Sequence, residues 1–364
     1  MLKANDKVLL ISQGLKCGGA DVVLLNLARL LLEQGLQVYL IVFEKVDIDI
    51  DVDERIILFA EAAKNARGIK VIQETLVSRL ITKLDKLHGF KMIFSNKTTS
   101  RQWLKTSVEN KTFYYRHFCS SFVLDKKLKE SEKSYQKMRK KEFRHFNKRR
   151  IICVSHGVKE TLLNRFEVKP KSIHVLYNFF DFDLIRSKAQ AFQVDENPYI
   201  LHVGRYSLDH KRQDLLLAAF EQVAAHVNLV FITDNVPALE SLIALSKKRK
   251  QVKVINFMSN PFPYMKNAKI MVLCSDHEAF GNVIVEAMIC GTPVVSTNCK
   301  SGPKEILVEN MAKYLVPCND PLALAKSIEE ALISPITATQ QQLEKFSFES
   351  AFNTVNKIYQ KDLL

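Results

Sequence analysis

KIMVLCSDHEAFGNVIVEAMICGTPVVS, residues 269–296, holds a strand, a loop, a helix and a second strand in succession. Residues 269–274 are an apolar, β-branched run of strand length, and PVVS (293–296) is another. Between them VIVEAMIC (283–290) has the small and apolar composition of a buried helix, which Gly291 and Pro293 stop. Strand, helix and strand at this spacing make a parallel pair joined by a crossover helix. Two acids, Glu278 and Glu286, stand at the shoulders of that helix, where apolar burial alone would not put them.

The alternation continues on both sides. YILHV (199–203), a helix over 211–226, LVFIT (229–233), a helix over 237–249, VKVINF (252–257), KYLVP (313–317) and a helix over 320–333 fill the second half. KVLLIS (7–12), a helix over 18–35 ended by Gly35, QVYLIVF (37–43), KMIFS (91–95), TFYYRH (112–117) and RIICVS (150–155) fill the first. Regular alternation predicts α/β architecture with parallel, doubly wound sheets. The 364 residues exceed what one core supports, so two domains are expected. The polar stretch SKAQAFQVDENP (187–198) marks the junction, and 346–364 reads as a last amphipathic helix.

Composition excludes several classes. With 47% apolar and 25% charged residues the chain is neither disordered nor fibrous. No run approaches the roughly 18 apolar residues of a membrane span, and the N-terminal apolar run is too short for a signal peptide. Seven scattered cysteines with no C-x2-C pair suggest reduced thiols in the cytosol. The expectation is a chain neither exported nor integral to a membrane.

Net charge is +14, and residues 126–150 hold twelve Lys or Arg against three Glu, which is +9 of it. Leu124 just before it and Leu128, Tyr135, Met138 and Phe146 within it recur at helical spacing, so the segment predicts an amphipathic helix with a basic face. Such a face suits an anionic membrane surface. It equally suits a helix packed on its own domain with solvated lysines. Without aromatic interleaving or a known nucleic-acid module, no nucleic-acid partner is expected.

In doubly wound sheets ligands sit beyond the carboxyl ends of strands, which directs attention to four places. After the first strand, Gly18 and Gly19 open a helix whose N–H groups suit an anion, although an ordinary tight turn explains them as well. After 199–203, Gly204 turns the chain and Arg205 and Lys211 follow, two cations suited to a diphosphate or simply to the surface. The loop 279–282 starts the helix of the opening stretch and offers amides to an anion, flanked by Glu278 and Glu286 as hydroxyl acceptors. His117 ends a strand of the first half, where a lone histidine is either structural or functional.

Taken together, these segments resemble the retaining family 4 glycosyltransferases of the GT-B fold, over nearly the whole chain. The family's two glutamates around a Gly-Phe-Gly loop are similar to Glu278-Ala-Phe-Gly-Asn-Val-Ile-Val-Glu286, followed by GTPVVS and by SGPKEIL (301–307). GRYSLDHKRQDLLLAAF, NPFPYMKNAKIMVLCS, GGADVVLLNLA, VSHGVKETLL and VLYNFFD resemble further family segments. Ala279 stands for the usual Gly, Asp21 for the usual Glu, and FITDNVPALESL lacks a frequent Gly-Asp-Gly.

The resemblance implies two Rossmann-like domains facing across a cleft: 1–184 on the acceptor side, 185–345 on the donor side, and 346–364 returning to the first. It implies transfer of a hexose or N-acetylhexosamine, with retention, from a nucleoside diphosphate sugar to a saccharide or lipid-linked acceptor in bacterial surface polysaccharide synthesis. UDP-sugar is favoured over GDP-sugar. Carried over residue by residue, Arg205 and Lys211 meet the diphosphate, Glu286 the ribose, Glu278 the sugar, and the amides of Phe280, Gly281, Asn282 and Val283 sugar and phosphate. His117 meets the donor sugar close to the reacting carbon and completes a catalytic set with Arg205, Lys211 and Glu278, and Gly19 lies by the phosphate and the acceptor. No metal or other cofactor is expected, and the enzyme belongs in the cytoplasm or on the inner face of its membrane. Another GT-B enzyme such as an epimerase, or a non-catalytic basic binder, is the alternative.

Overall fold

A computed structural model describes residues 1–15, 18–43, 52–59, 70–96, 108–194 and 197–364, with side chains from 77 onward in the helix that begins at Lys70. The chain forms two compact units, Met1–Phe179 with Phe348–Leu364, and Phe180–Ser347.

The first unit runs β1 (Lys7–Ser12), α1 (Gly19–Glu33), β2 (Gln37–Val42), β3 (Ile57–Phe59), α2 (Lys70–His88), β4 (Met92–Asn96), β5 (Thr112–Arg116), α3 (Ser121–Glu130), α4 (Glu132–Phe146), β6 (Arg150–Cys153), α5 (His156–Glu160) and β7 (Ser172–Val175). Its strands pair in the order β3-β2-β1-β4-β5-β6-β7, all parallel. Central strands read as continuous apolar runs because helices cover both faces of a parallel sheet. Val8 to Ile11 and Val38 to Val42 are accordingly buried.

The second unit runs α6 (Phe182–Lys188), β8 (Tyr199–Val203), α7 (Gln213–Gln222), β9 (Asn228–Thr233), α8 (Val236–Ile243), β10 (Val252–Asn256), α9 (Phe262–Asn267), β11 (Ile270–Leu273), α10 (Asn282–Ile289), β12 (Val294–Thr297), α11 (Pro303–Ile306), β13 (Leu315–Val316), α12 (Pro321–Ile333) and α13 (Gln340–Glu344). Strand order is β10-β9-β8-β11-β12-β13, again parallel. Leu216, Ala219 and Phe220 of α7 and Leu324 and Ile328 of α12 fill one core with Leu229, Phe231 and Val272. Each fully buried Leu or Phe there contributes about 1.5–3 kcal/mol.

Helix α14 (Phe348–Leu363) belongs to the first unit. Its Asp362 carboxylate lies 3.0 Å from His174 Nε2 and accepts from the Ser172 hydroxyl, while the Asp362 carbonyl accepts from Arg150 at 3.0 Å. The tail is thereby fastened to β6 and β7.

The helix over 211–226 is shortened to Gln213–Gln222, where Val223 turns extended, and two others differ more. The helix over 237–249 ends at Ile243, because the chain turns with Ser246 N–H on the Ile243 carbonyl and leaves Leu245 83% exposed. The amphipathic pattern of the basic segment is two helices: Ser131 is extended and its hydroxyl accepts the Ser134 N–H, capping α4 and breaking it from α3.

Candidate functional site

In each sheet the strand order reverses once, between β1 and β4 and between β8 and β11. Loops leaving adjacent strands at such a point diverge to opposite faces and open a crevice at the carboxyl edge. In the second unit those loops are 204–212 and 274–281, so the fold itself brings Lys211 beside Glu278.

A buried amide shapes the first loop. Gln213, fully buried at the start of α7, donates to the Arg205 carbonyl at 2.9 Å and accepts from Ser207 N–H at 3.2 Å. Beneath it His202 Nδ1 lies 3.0 Å from the Val272 carbonyl, which places the proton on Nδ1 and turns Nε2 toward Gln213 at 3.5 Å. Burial pushes His202 down to about 4, so it stays neutral. Arg205 is exposed at the lip of the loop. Lys211 precedes the helix by two residues, its N–H on the Ser207 carbonyl at 2.8 Å, and turns its side chain toward the neighbouring loop.

That second loop presents Glu278. Its carboxylate accepts from Lys211 Nζ at 2.6 Å and from the Ser275 hydroxyl at 2.8 Å, and the Ser275 carbonyl accepts from Thr297 at 2.6 Å. Burial alone would raise this acid, but Lys211 and His210 outweigh it and hold it below the usual range. His210 stacks on His277 with ring centroids 4.0 Å apart and bonds the His277 carbonyl at 2.8 Å. Burial lowers both imidazoles, His277 to about 4; Lys211 adds to this at both, and the neighbouring His210 adds to it at His277.

The start of α10 depends on two glycines. Gly281, its N-cap, has φ 102° and ψ 59°, a region side chains rarely enter. At Gly302 a Cβ would fall 2.1 Å from the Phe280 carbonyl oxygen, so the SGPKEIL segment packs directly under the 279–282 loop. Ala279 is not among the residues with positive φ, which is why alanine serves there. Phe280 is buried edge-on against Phe346 at 5.7 Å. Asn282 and Val283 form the first turn of α10, and Gly281 supplies no side-chain cap to its amides. Half-buried Glu286 follows one turn later; burial pushes it up to about 7 against the pull of Lys211.

Arg205, Lys211, Glu278, the 280–283 turn and Glu286 thus share one carboxyl edge. Gly19 and His117 belong to the other unit. Gly19 opens α1 beside the end of β4, whose Asn96 Nδ2 donates to the Ala20 carbonyl at 3.3 Å. His117 follows β5 with its ring 4.2 Å from that of Tyr115. Just before it Arg116, 4% exposed, pairs with Glu142 of α4 at 2.9 Å, so the basic helix is bolted beneath the His117 loop. Sequence reasoning missed Gln213, Ser275, the stacked histidines, Gly302 and the Arg116–Glu142 pair. Two of them carried a signal: Gly302 within the SGPKEIL segment, and Glu142 as the one acid between Lys133 and Arg150.

Among the described residues no group of three or more His, Cys, Asp or Glu is placed to hold a metal ion. An acceptor carboxylate, a lysine and the positive end of a helix dipole can bind hydroxyls and an anion side by side.

A model of Glycosyltransferase Family 4 matches residues 17–184, and one of Glycosyl transferases group 1 matches residues 185–348. The N-acetylgalactosamine-N,N'-diacetylbacillosaminyl-diphospho-undecaprenol 4-alpha-N-acetylgalactosaminyltransferase of Campylobacter jejuni is 29% identical over 185 residues, 50% of each chain. The poly(ribitol-phosphate) alpha-N-acetylglucosaminyltransferase of Staphylococcus aureus is 25% identical over 55% of this chain and 41% of its own. The chain spans about half the length of the curated relatives it matches. Among solved structures, Anabaena HepE with UDP and glucose aligns with a TM-score of 0.71 at 18% identity, covering 98% of this chain and 100% of that one. Sucrose-phosphate synthase from Thermosynechococcus elongatus aligns at 0.74 and 19% identity, covering 98% and 99%. At these identities the structural likeness is one of fold.

Proposed function

The chain belongs to the family 4 glycosyltransferases, and we propose that it moves a hexose or N-acetylhexosamine from a nucleoside diphosphate sugar to a saccharide or lipid-linked acceptor. The observation that carries this is the Lys211–Glu278 pair at the switch point beside the start of α10, whose N-cap is a glycine. A diphosphate gains negative charge as the glycosidic bond breaks, and Arg205, Lys211 and the α10 amides are assigned to it. Glu278 and Glu286 accept from sugar and ribose hydroxyls. His117 and Gly19 are the assigned contributors of the first unit, to the sugar and the phosphate. With two cations at this edge we assign leaving-group stabilisation to the protein without a divalent metal, and retention at the anomeric carbon follows the family pattern.

Two relatives support the acceptor class, one named for a diphospho-undecaprenol-linked saccharide and one for poly(ribitol-phosphate). The UDP in HepE supports UDP over GDP. We place the chain in bacterial surface polysaccharide synthesis, in the cytoplasm and at the inner membrane face, with the basic segment 126–150 toward anionic lipid. Among the described residues no helix is long and apolar enough to cross a membrane.

The test follows UDP release from UDP-N-acetylglucosamine, UDP-N-acetylgalactosamine and UDP-glucose, with and without a lipid-linked saccharide acceptor. Acceptor-dependent release, lost in Glu278→Gln and Lys211→Ala, supports the proposal. Isomerised nucleotide sugar without release points to an epimerase, and full activity in both variants removes the site assignment.

A further inference from the structure

Arg212 ends the first loop in left-handed backbone geometry, φ 55° and ψ 49°, where a side chain is disfavoured and glycine or asparagine is usual. Its guanidinium accounts for the exception. Nε and Nη2 meet the Asp214 carboxylate at 3.0–3.2 Å, Nη1 reaches both Asp276 oxygens at 3.1 Å, and Nη1 also meets Asn319 Oδ1. One side chain therefore ties the first turn of α7 to the loops that follow β11 and β13. The clamp sits next to the site: Lys211 is the chain neighbour of Arg212, and its partner Asp276 lies two residues before Glu278. The same seam is laced by Asp276 N–H on the His210 carbonyl at 2.9 Å, by the Cys274 thiol facing the Lys211 and Arg212 carbonyls at 3.0 and 3.1 Å, and by the His210–His277 stack.

We propose that Arg212 is a positioning residue: by clamping Asp276 it sets the spacing of the Lys211 and Glu278 loops before a nucleoside diphosphate sugar arrives. The planar fork is essential, since a lysine would deliver one point charge where three segments need directed donors. The inference rests on the proposed donor site for its functional consequence, while the clamp itself can be read without ligand.

Two readouts test it on the full chain: UDP affinity by calorimetry, and titration of the His277 imidazole by NMR. In Arg212→Gly the backbone is at ease, so the fold is kept while the clamp is lost. UDP binding is expected to weaken about tenfold, because catalytic groups a fraction of an ångström out of place bind poorly. With the loops parted, the His277 midpoint should climb from about 4 toward the ordinary value of about 6.5. Arg212→Lys should fall between, weakening UDP about threefold. Unchanged UDP affinity with an unchanged His277 midpoint in Arg212→Gly overturns the proposal. A wild-type chain that does not bind UDP overturns the nucleotide assignment instead, and the His277 midpoint then decides the clamp alone. Should Arg212→Gly fail to fold, Arg212→Lys decides through the same readouts.

Discussion

Lys211 Nζ and Glu278 Oε1 lie 2.6 Å apart, with the two side chains 15% and 11% exposed, although 67 residues separate them in sequence. A pair this buried is costly to break from one side, because the surviving charge stays in a largely dry site without its counter-ion. Lys211→Ala is expected to destabilise the fold by about 3 kcal/mol. Lys211→Ala with Glu278→Gln removes both charges and should recover most of that loss. Urea denaturation of the two singles and the double measures the coupling. Simple additivity would mean that the pair does not hold the two loops together.

The glycine beneath the 279–282 loop gives a sharper test of construction. Gly302→Ala puts a Cβ against the Phe280 carbonyl oxygen at a position whose φ is already 65°. The variant should lose at least about 2 kcal/mol, as steric and backbone strain act together. Ala279→Gly removes only a methyl from an ordinary backbone position and should stay within about 1 kcal/mol of wild type. Equal melting temperatures for the two variants would contradict the packing of Gly302 on Phe280.

Much of this organisation was legible in the sequence, and the reason is physical. Strands buried on both faces are continuous apolar runs, so β1 and β8 were read to the residue and β9 to β12 within one or two. Lys211 and Glu278 stand out for a related reason, as charges in the loops that leave the carboxyl ends of β8 and β11, where doubly wound sheets bind ligands. Residues whose meaning lies in a distant partner were not legible. Arg212 bonds residues 64 and 107 positions away, and Gln213 resembles any first-turn polar residue until its carboxamide is seen buried under Arg205. The break at Ser131 was hidden because helical spacing of apolar residues survives across a short cap.

Glu286 gives the site a pH dependence. Its folded pKa of about 7 exceeds the ordinary 4.5, so the native state holds a proton that the unfolded chain has released. The associated stability is complete below about pH 4.5 and disappears as pH rises through about 7, a loss of at most about 3 kcal/mol. Glu286→Gln removes this dependence, so its melting temperature should gain on wild type between pH 5 and pH 8. If ribose hydroxyls donate to the carboxylate, UDP binding near pH 7 should also expel this proton. Calorimetry in buffers of different ionisation enthalpy would show the release in wild type and its loss in Glu286→Gln. Identical release in both would transfer the effect to the nucleotide's own phosphate.

The basic face of α4 separates membrane docking from a merely solvated surface. Lys133, Lys137, Lys140 and Lys141 are exposed on one stripe, while Glu142 and Phe146 on the other are buried and Glu142 is committed to Arg116. The inward side is therefore anchored and the lysines are available to a partner. Each lysine near an anionic bilayer contributes about 1 kcal/mol, so reversing four to glutamate should weaken binding to phosphatidylserine vesicles by at least about a hundredfold. Because these side chains make no buried contacts, the melting temperature should move by no more than about 2 °C. Wild-type binding should also fade in 0.5 M salt, where the screening length shrinks to about 4 Å. Vesicle binding that survives both charge reversal and salt would assign the docking elsewhere, to the exposed Phe118 and Leu128 rather than to the lysines. Absence of binding by the wild type would leave the stripe as a solvated face.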